Sequence, residues 1–177
     1  MKTEIIKKFE DVKKFEMSNF EKLGRCEFTV LMLDEKPDGK LIAGMMLTSG
    51  GMQDFLENRF DYLYKAGRAI RNEKRLNIVA VISASEAWLS KVHKDKQESY
   101  AENIKLPSND PNKIEALIFN VMDSEGENIM YVHEIKSKDG KRYVEPKSMG
   151  QDYDKLENIL LGSFWKGHKG FVKTEKP

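Results

Sequence analysis

The chain is short of most features that announce a chemistry. It has one cysteine, Cys26, among 177 residues, so no internal disulfide can form and a reducing, cytoplasmic setting is the natural expectation. Its three histidines, His93, His133 and His168, have neither H-x-H nor i,i+4 spacing. A multi-histidine zinc site would need the fold to gather them, and no metal is expected from the sequence. Charge of one sign is missing as well. Thirty basic and 29 acidic residues leave a formal net charge of +1, so no overall field favours nucleic acid or an acidic membrane. No apolar run approaches the roughly 20 residues that cross a bilayer, and the longest, residues 76–82, is strand-sized. Mean hydropathy of −0.60 agrees with a soluble protein that has no membrane partner. Met1–Lys8 has neither the apolar core nor the cleavage site of a secretory signal. Phosphate-loop, dinucleotide, serine-elbow and zinc-protease motifs are absent too.

What remains is a chain with 40% hydrophobic and 33% charged residues, the composition of one globular domain over residues 1–177. Ile5, Phe9, Val12, Phe20 and Leu23 fall near helical spacing, predicting one helix, or two broken near Ser18-Asn19, with Gly24 as the stop. Residues 27–34 and 40–47 read as a β-hairpin around Lys36-Pro37-Asp38-Gly39, with apolar residues on both faces that suggest central strands. Met52, Phe55, Leu56, Phe60, Leu63, Tyr64 and Ile70 mark the clearest helix, with Phe55, Phe60 and Leu63 expected in the core. Residues 76–83 read as a buried strand, expected to run parallel to its predecessor through a crossover. A polar insertion at 90–112 follows. Residues 113–122, 129–136 and 141–145 then form a meander. Tyr153, Leu156, Leu160 and Phe164 mark a last helix before a flexible basic tail at 166–177. The fold class is α+β: a mostly antiparallel or mixed sheet of about six strands packed with three main helices.

Three sets of residues are candidates for a site. If the 113–136 hairpin turns between Glu125 and Gly126, Glu115 lies opposite Lys136 and Leu117 opposite Glu134. Glu115, Glu134 and Lys136 then share one face. Two carboxylates and a lysine so placed can hold a divalent cation and activate water, the chemistry of a metal-dependent hydrolase or nuclease. The ordinary alternative is a solvated ion-pair network worth ~0–1 kcal/mol. Glu86 and Trp88 follow the buried strand, and with His93 they could clasp a small molecule or cofactor under the 90–112 loop. Their ordinary reading is a short-helix start for Glu86, a core plug for Trp88 and a solvated His93. Lys166, Lys169, Lys173 and Lys176, interleaved with Trp165 and Phe171, could grip single-stranded nucleic acid, although such a tail usually only solubilises. Cys26 has no base partner to make it a nucleophile.

The order helix, hairpin, helix, a strand ending Ser83-Ala84-Ser85-Glu86-Ala87-Trp88, a polar loop, then Asp110-Pro111-Asn112-Lys113-Ile114-Glu115-Ala116-Leu117 resembles a group of uncharacterised bacterial and phage proteins. The resemblance implies a prokaryotic or viral origin and, because that group has no assigned activity, no chemistry. The leading expectation is a non-catalytic binding or assembly module with a protein partner. Phe9, Phe15 and Phe20 are a candidate self-association face for a homodimer.

Overall fold

The computed structural model describes residues 1–46, 52–73, 75–89, 113–147 and 159–169. In chain order these form α1 (Thr3–Leu23), β1 (Thr29–Glu35), β2 (Leu41–Met46), α2 (Met52–Arg71), β3 (Ile78–Leu89), β4 (Ile114–Asp123), β5 (Asn128–Lys138), β6 (Lys141–Val144) and α3 (Ile159–Lys169). The six strands make one sheet, ordered β2-β1-β3-β4-β5-β6, and every neighbouring pair is antiparallel. The expected α+β class holds, in its antiparallel form. Among the described residues no helix is long and apolar enough to cross a membrane. The 90–112 insertion with His93, the helix positions Tyr153 and Leu156, and Phe171, Lys173 and Lys176 lie outside the described residues.

Local chemistry accounts for the corners. Gly24 takes a left-handed φ of 68° and donates its N–H to the Phe20 carbonyl at 2.7 Å, which stops α1 where the sequence predicts. The helix does not break at Ser18-Asn19 but runs unbroken from Thr3 to Leu23. Both long hairpins close with a three-residue loop whose last residue is a left-handed glycine. In the first, Gly39 (φ 79°) donates to the Lys36 carbonyl at 2.8 Å. In the second, Gly126 (φ 93°) donates to the Asp123 carbonyl at 3.1 Å, and Asp123 N–H donates to the Glu127 carbonyl at 3.0 Å. The second turn therefore centres on Glu125, half a residue before the expected point. Ala116 faces Glu134 and Leu117 faces His133. The register is one residue away from the expected one, which sends alternate side chains to the other face.

The sheet separates two apolar cores. On one face Ile5, Phe9 and Phe20 of α1 pack on Leu33, Ile82, Leu117 and Phe119. On the other, Leu63 of α2 and Leu161, Phe164 and Trp165 of α3 pack on Val30, Val81 and Met122. Large side chains this fully buried each stabilise by about 1.5–3 kcal/mol before entropy is counted. A bulge opposite Leu33/Asp34 makes Val79 an extra residue in β3. Val79 joins the α1 core while Ile78 joins the other.

Several expectations change. Among the described residues β2 is an edge strand, with Ile42 exposed, so the first hairpin is not wholly central. β3 runs in the direction of β2, but β1 lies between them, so they form no parallel pair. Leu63 is buried as expected, whereas Phe60 is 42% exposed. Phe9 and Phe20 are fully buried, so of the proposed self-association face only Phe15 points outward. The presumed tail is still helical through Lys169. α2 and α3 cross so closely that a methyl at Gly67 would overlap the Phe164 carbonyl oxygen, and one at Gly167 the Tyr64 carbonyl oxygen.

Candidate functional site

β3 does not end at Ser83. It stays extended to Leu89, so Glu86 lies on a strand rather than at a helix start. Glu86 pairs with Leu117 and Trp88 with Glu115, which places all four on the α1 face, because successive strand residues alternate. From β6 comes Arg142, two residues before the buried Val144 and on the same face. These positions meet at one end of the sheet.

Arg142 organises the cluster. Its Nη2 donates to Glu86 Oε2 at 2.7 Å and to Glu115 Oε1 at 2.6 Å. Its Nη1 donates to the Gly24 carbonyl at 2.5 Å, and the guanidinium lies 5.1 Å from the Phe20 ring centroid. The second Glu86 oxygen accepts the Cys26 backbone N–H. Burial works against the arginine charge, but Glu86 and Glu115 outweigh it and hold the guanidinium pKa above its ordinary value. The Cys26 thiol is pushed up to about 12, chiefly by burial and then by Glu16, Glu86 and Glu27. It is therefore a neutral thiol at physiological pH and a poor nucleophile. Trp88, expected as a core plug, is 44% exposed, with Lys113 Nζ 4.5 Å from its ring centroid. Beside the cluster opens a cleft of about 670 Å³ lined by Glu21, Lys138, Asp139, Lys141, Arg142 and Tyr143.

The three residues of the hydrolase reading are not brought together. Glu115 is on the α1 face, held by Arg142. Glu134 and Lys136 lie on the opposite face, by the observed register. Lys136 pairs with Glu145 at 3.0 Å, and that hydrogen bond raises its pKa. Among the described residues no group of three or more His, Cys, Asp or Glu is placed to hold a metal ion.

The other polar and basic groups near these strands sit in structural settings. Asp123 accepts the N–H groups of Glu125 and Glu127 and so caps its own turn. His133 is buried under α1 with Nδ1 3.0 Å from the Glu145 carbonyl, and burial lowers its pKa. His168 stacks on Phe164 within α3. Of the basic end, Lys166 is exposed, and Lys169 bonds the Ser124 carbonyl. Trp165 is buried, its Nε1 donating to the Met122 carbonyl at 3.3 Å, so it offers no stacking platform for a base.

Sequence reasoning missed Arg142. The signal was present: Lys141-Arg142-Tyr143-Val144 alternates, and an inward Val144 makes Arg142 inward too. A charge on the core-facing side of a short strand needs partners, and Glu86 and Glu115 are those partners. Compared with known proteins, the chain matches no family model, no curated protein and no solved structure.

Proposed function

We propose that this chain is a non-catalytic binding module that docks a protein partner on the sheet end around Trp88 and Arg142. The observation that carries the reading is the half-exposed indole of Trp88 at the strand-pair position opposite Glu115, next to an ion-pair cluster that already occupies both carboxylates. Acid–base or metal chemistry needs carboxylates that are free to take a proton or a cation. Trp, Tyr and Arg are the side chains most enriched at the energetic centres of protein interfaces. Trp88 and Arg142 share the α1 face here and are connected through Glu115, which pairs with Trp88 across the ladder and accepts from Arg142. The lone cysteine and the resemblance drawn from residues 83–88 and 110–117 support a cytoplasmic bacterial or phage setting.

The test is affinity capture from a bacterial lysate with the full chain and with Trp88→Ala. A captured protein that is lost with Trp88→Ala is the expected result. Capture that does not depend on Trp88 would sink the proposal. A parallel thermal melt with Mg²⁺ or Mn²⁺ should leave Tm unmoved, whereas a metal-induced rise abolished by Glu115→Gln would favour the hydrolase reading.

A further inference from the structure

We infer that β2 joins the β2 of a second copy of this chain, as an antiparallel pair centred on Ala43. Hydrogen-bond parity fixes which β2 backbone groups face outward. Lys36 N–H donates to the Lys40 carbonyl at 2.9 Å, and bonded and non-bonded pairs alternate along an antiparallel ladder. Asp34–Ile42, Met32–Gly44 and Val30–Met46 are then the bonded pairs between β1 and β2, while Glu35–Leu41, Leu33–Ala43 and Leu31–Met45 are non-bonded. The N–H and C=O groups of Leu41, Ala43 and Met45 therefore point away from β1. That side is the open edge of the sheet among the described residues.

Native edges are blunted by short strands, charges, prolines or bulges, or by a covering helix or loop. β2 reads Leu-Ile-Ala-Gly-Met-Met, with no charge and no proline, and its pairing with β1 has no register shift. Ile42, Ala43 and Gly44 are all exposed.

The strand also fits itself. With Ala43 opposite Ala43 of the second copy, Leu41 and Met45 of the two copies become bonded pairs. Ile42 falls opposite Gly44 of the second copy, and the reverse. A methyl built on Gly44 meets nothing within 4 Å, so the space above it is open to the Ile42 side chain, which is 44% exposed in the single chain. Lys40 falls opposite Met46, so no like charges face each other. The contact is isologous and closes as a two-fold dimer.

The test uses the full chain with Cys26→Ser. In the proposed register the two Ala43 Cα atoms lie ~5.5 Å apart, inside the ~4.4–6.8 Å reach of a disulfide. Ala43→Cys should give a covalent dimer on air oxidation, and Ile42→Cys should not. Light scattering should show a dimer that Ala43→Pro converts to monomer, since proline removes an outward N–H and leaves the bonded pairs with β1 in place. A chain that stays monomeric at high concentration, a dimer that survives Ala43→Pro, or cross-linking at position 42 instead of 43 would each overturn the inference.

Discussion

Removing the Arg142 guanidinium would leave Glu86 of β3 and Glu115 of β4 as close, half-buried carboxylates, with the Gly24 carbonyl unpaired. Hydrogen bonds to charged groups contribute about 1.5–3 kcal/mol, so Arg142→Ala should lower stability by that order in urea titration. Glu115→Gln should cost less, because Glu86 and Gly24 still satisfy the arginine. His133 supplies a pH dependence. Burial, helped by Lys13, lowers its folded pKa below the ordinary 6.5, against the hydrogen bond with the Glu145 backbone and the nearby Glu10. The unfolded chain therefore takes up the proton first as pH falls. The stability it contributes is fully present above 6.5 and is lost as pH drops through the lower folded pKa. His168 is depressed as well, first by burial and then by Lys169 and Arg71, and acts with the same sign. Urea midpoints measured between about pH 8 and pH 5 should fall on acidification, and His133→Gln should remove its part of that slope. At this scale the sequence was only partly legible. Glu86 and Glu115 stood out as carboxylates, but their shared cation comes from another strand, and a local pattern does not show who faces whom.

Among the elements, the α2–α3 crossing is the most demanding contact. Gly67 and Gly167 each sit against backbone of the other helix, which cannot swing aside as a long side chain can. Gly67→Ala and Gly167→Ala should each destabilise by about 1–3 kcal/mol or more, the cost of overpacking, despite the better helix propensity of alanine. Thermal melts of the two single variants and the double variant would check this. The double should cost less than the sum of the singles, because once the helices have separated the second methyl finds room. The turns were legible as turns. Their loop length was not, and the 113–136 register turned on it: Asp123-Ser124-Glu125-Gly126 fits a two-residue or a three-residue loop equally by composition. The observed left-handed Gly126 selects the longer loop, and one residue of slip separates Glu115 from Glu134 and Lys136.

In the whole molecule, one sheet is the shared wall of both cores. β1 gives Leu33 to one and Val30 to the other, β3 gives Ile82 and Val81, and β4 gives Val121 and Met122. Neither core can dissolve without exposing strands that hold the other, so unfolding should be a single transition. Far-UV circular dichroism, which follows the whole backbone, and fluorescence of the buried Trp165 in Trp88→Phe should give the same midpoint. Fold class and most elements could be read from hydrophobic spacing, because each depends on neighbours in sequence. Strand order could not, since β1 pairs with β3 across the intervening β2 and α2, and nothing local encodes that choice.

The bond from Arg142 to Gly24 joins residues 118 positions apart. Translated into time on the ribosome, at ~5–20 residues per second, α1 is made about 6–24 s before the strand that secures its end. Throughout that interval Ile5, Phe9 and Phe20 have a helix to line but no complete sheet to cover them. α1 is therefore made well before the strand that locks it, and its apolar stripe is the surface that a nascent-chain chaperone would meet.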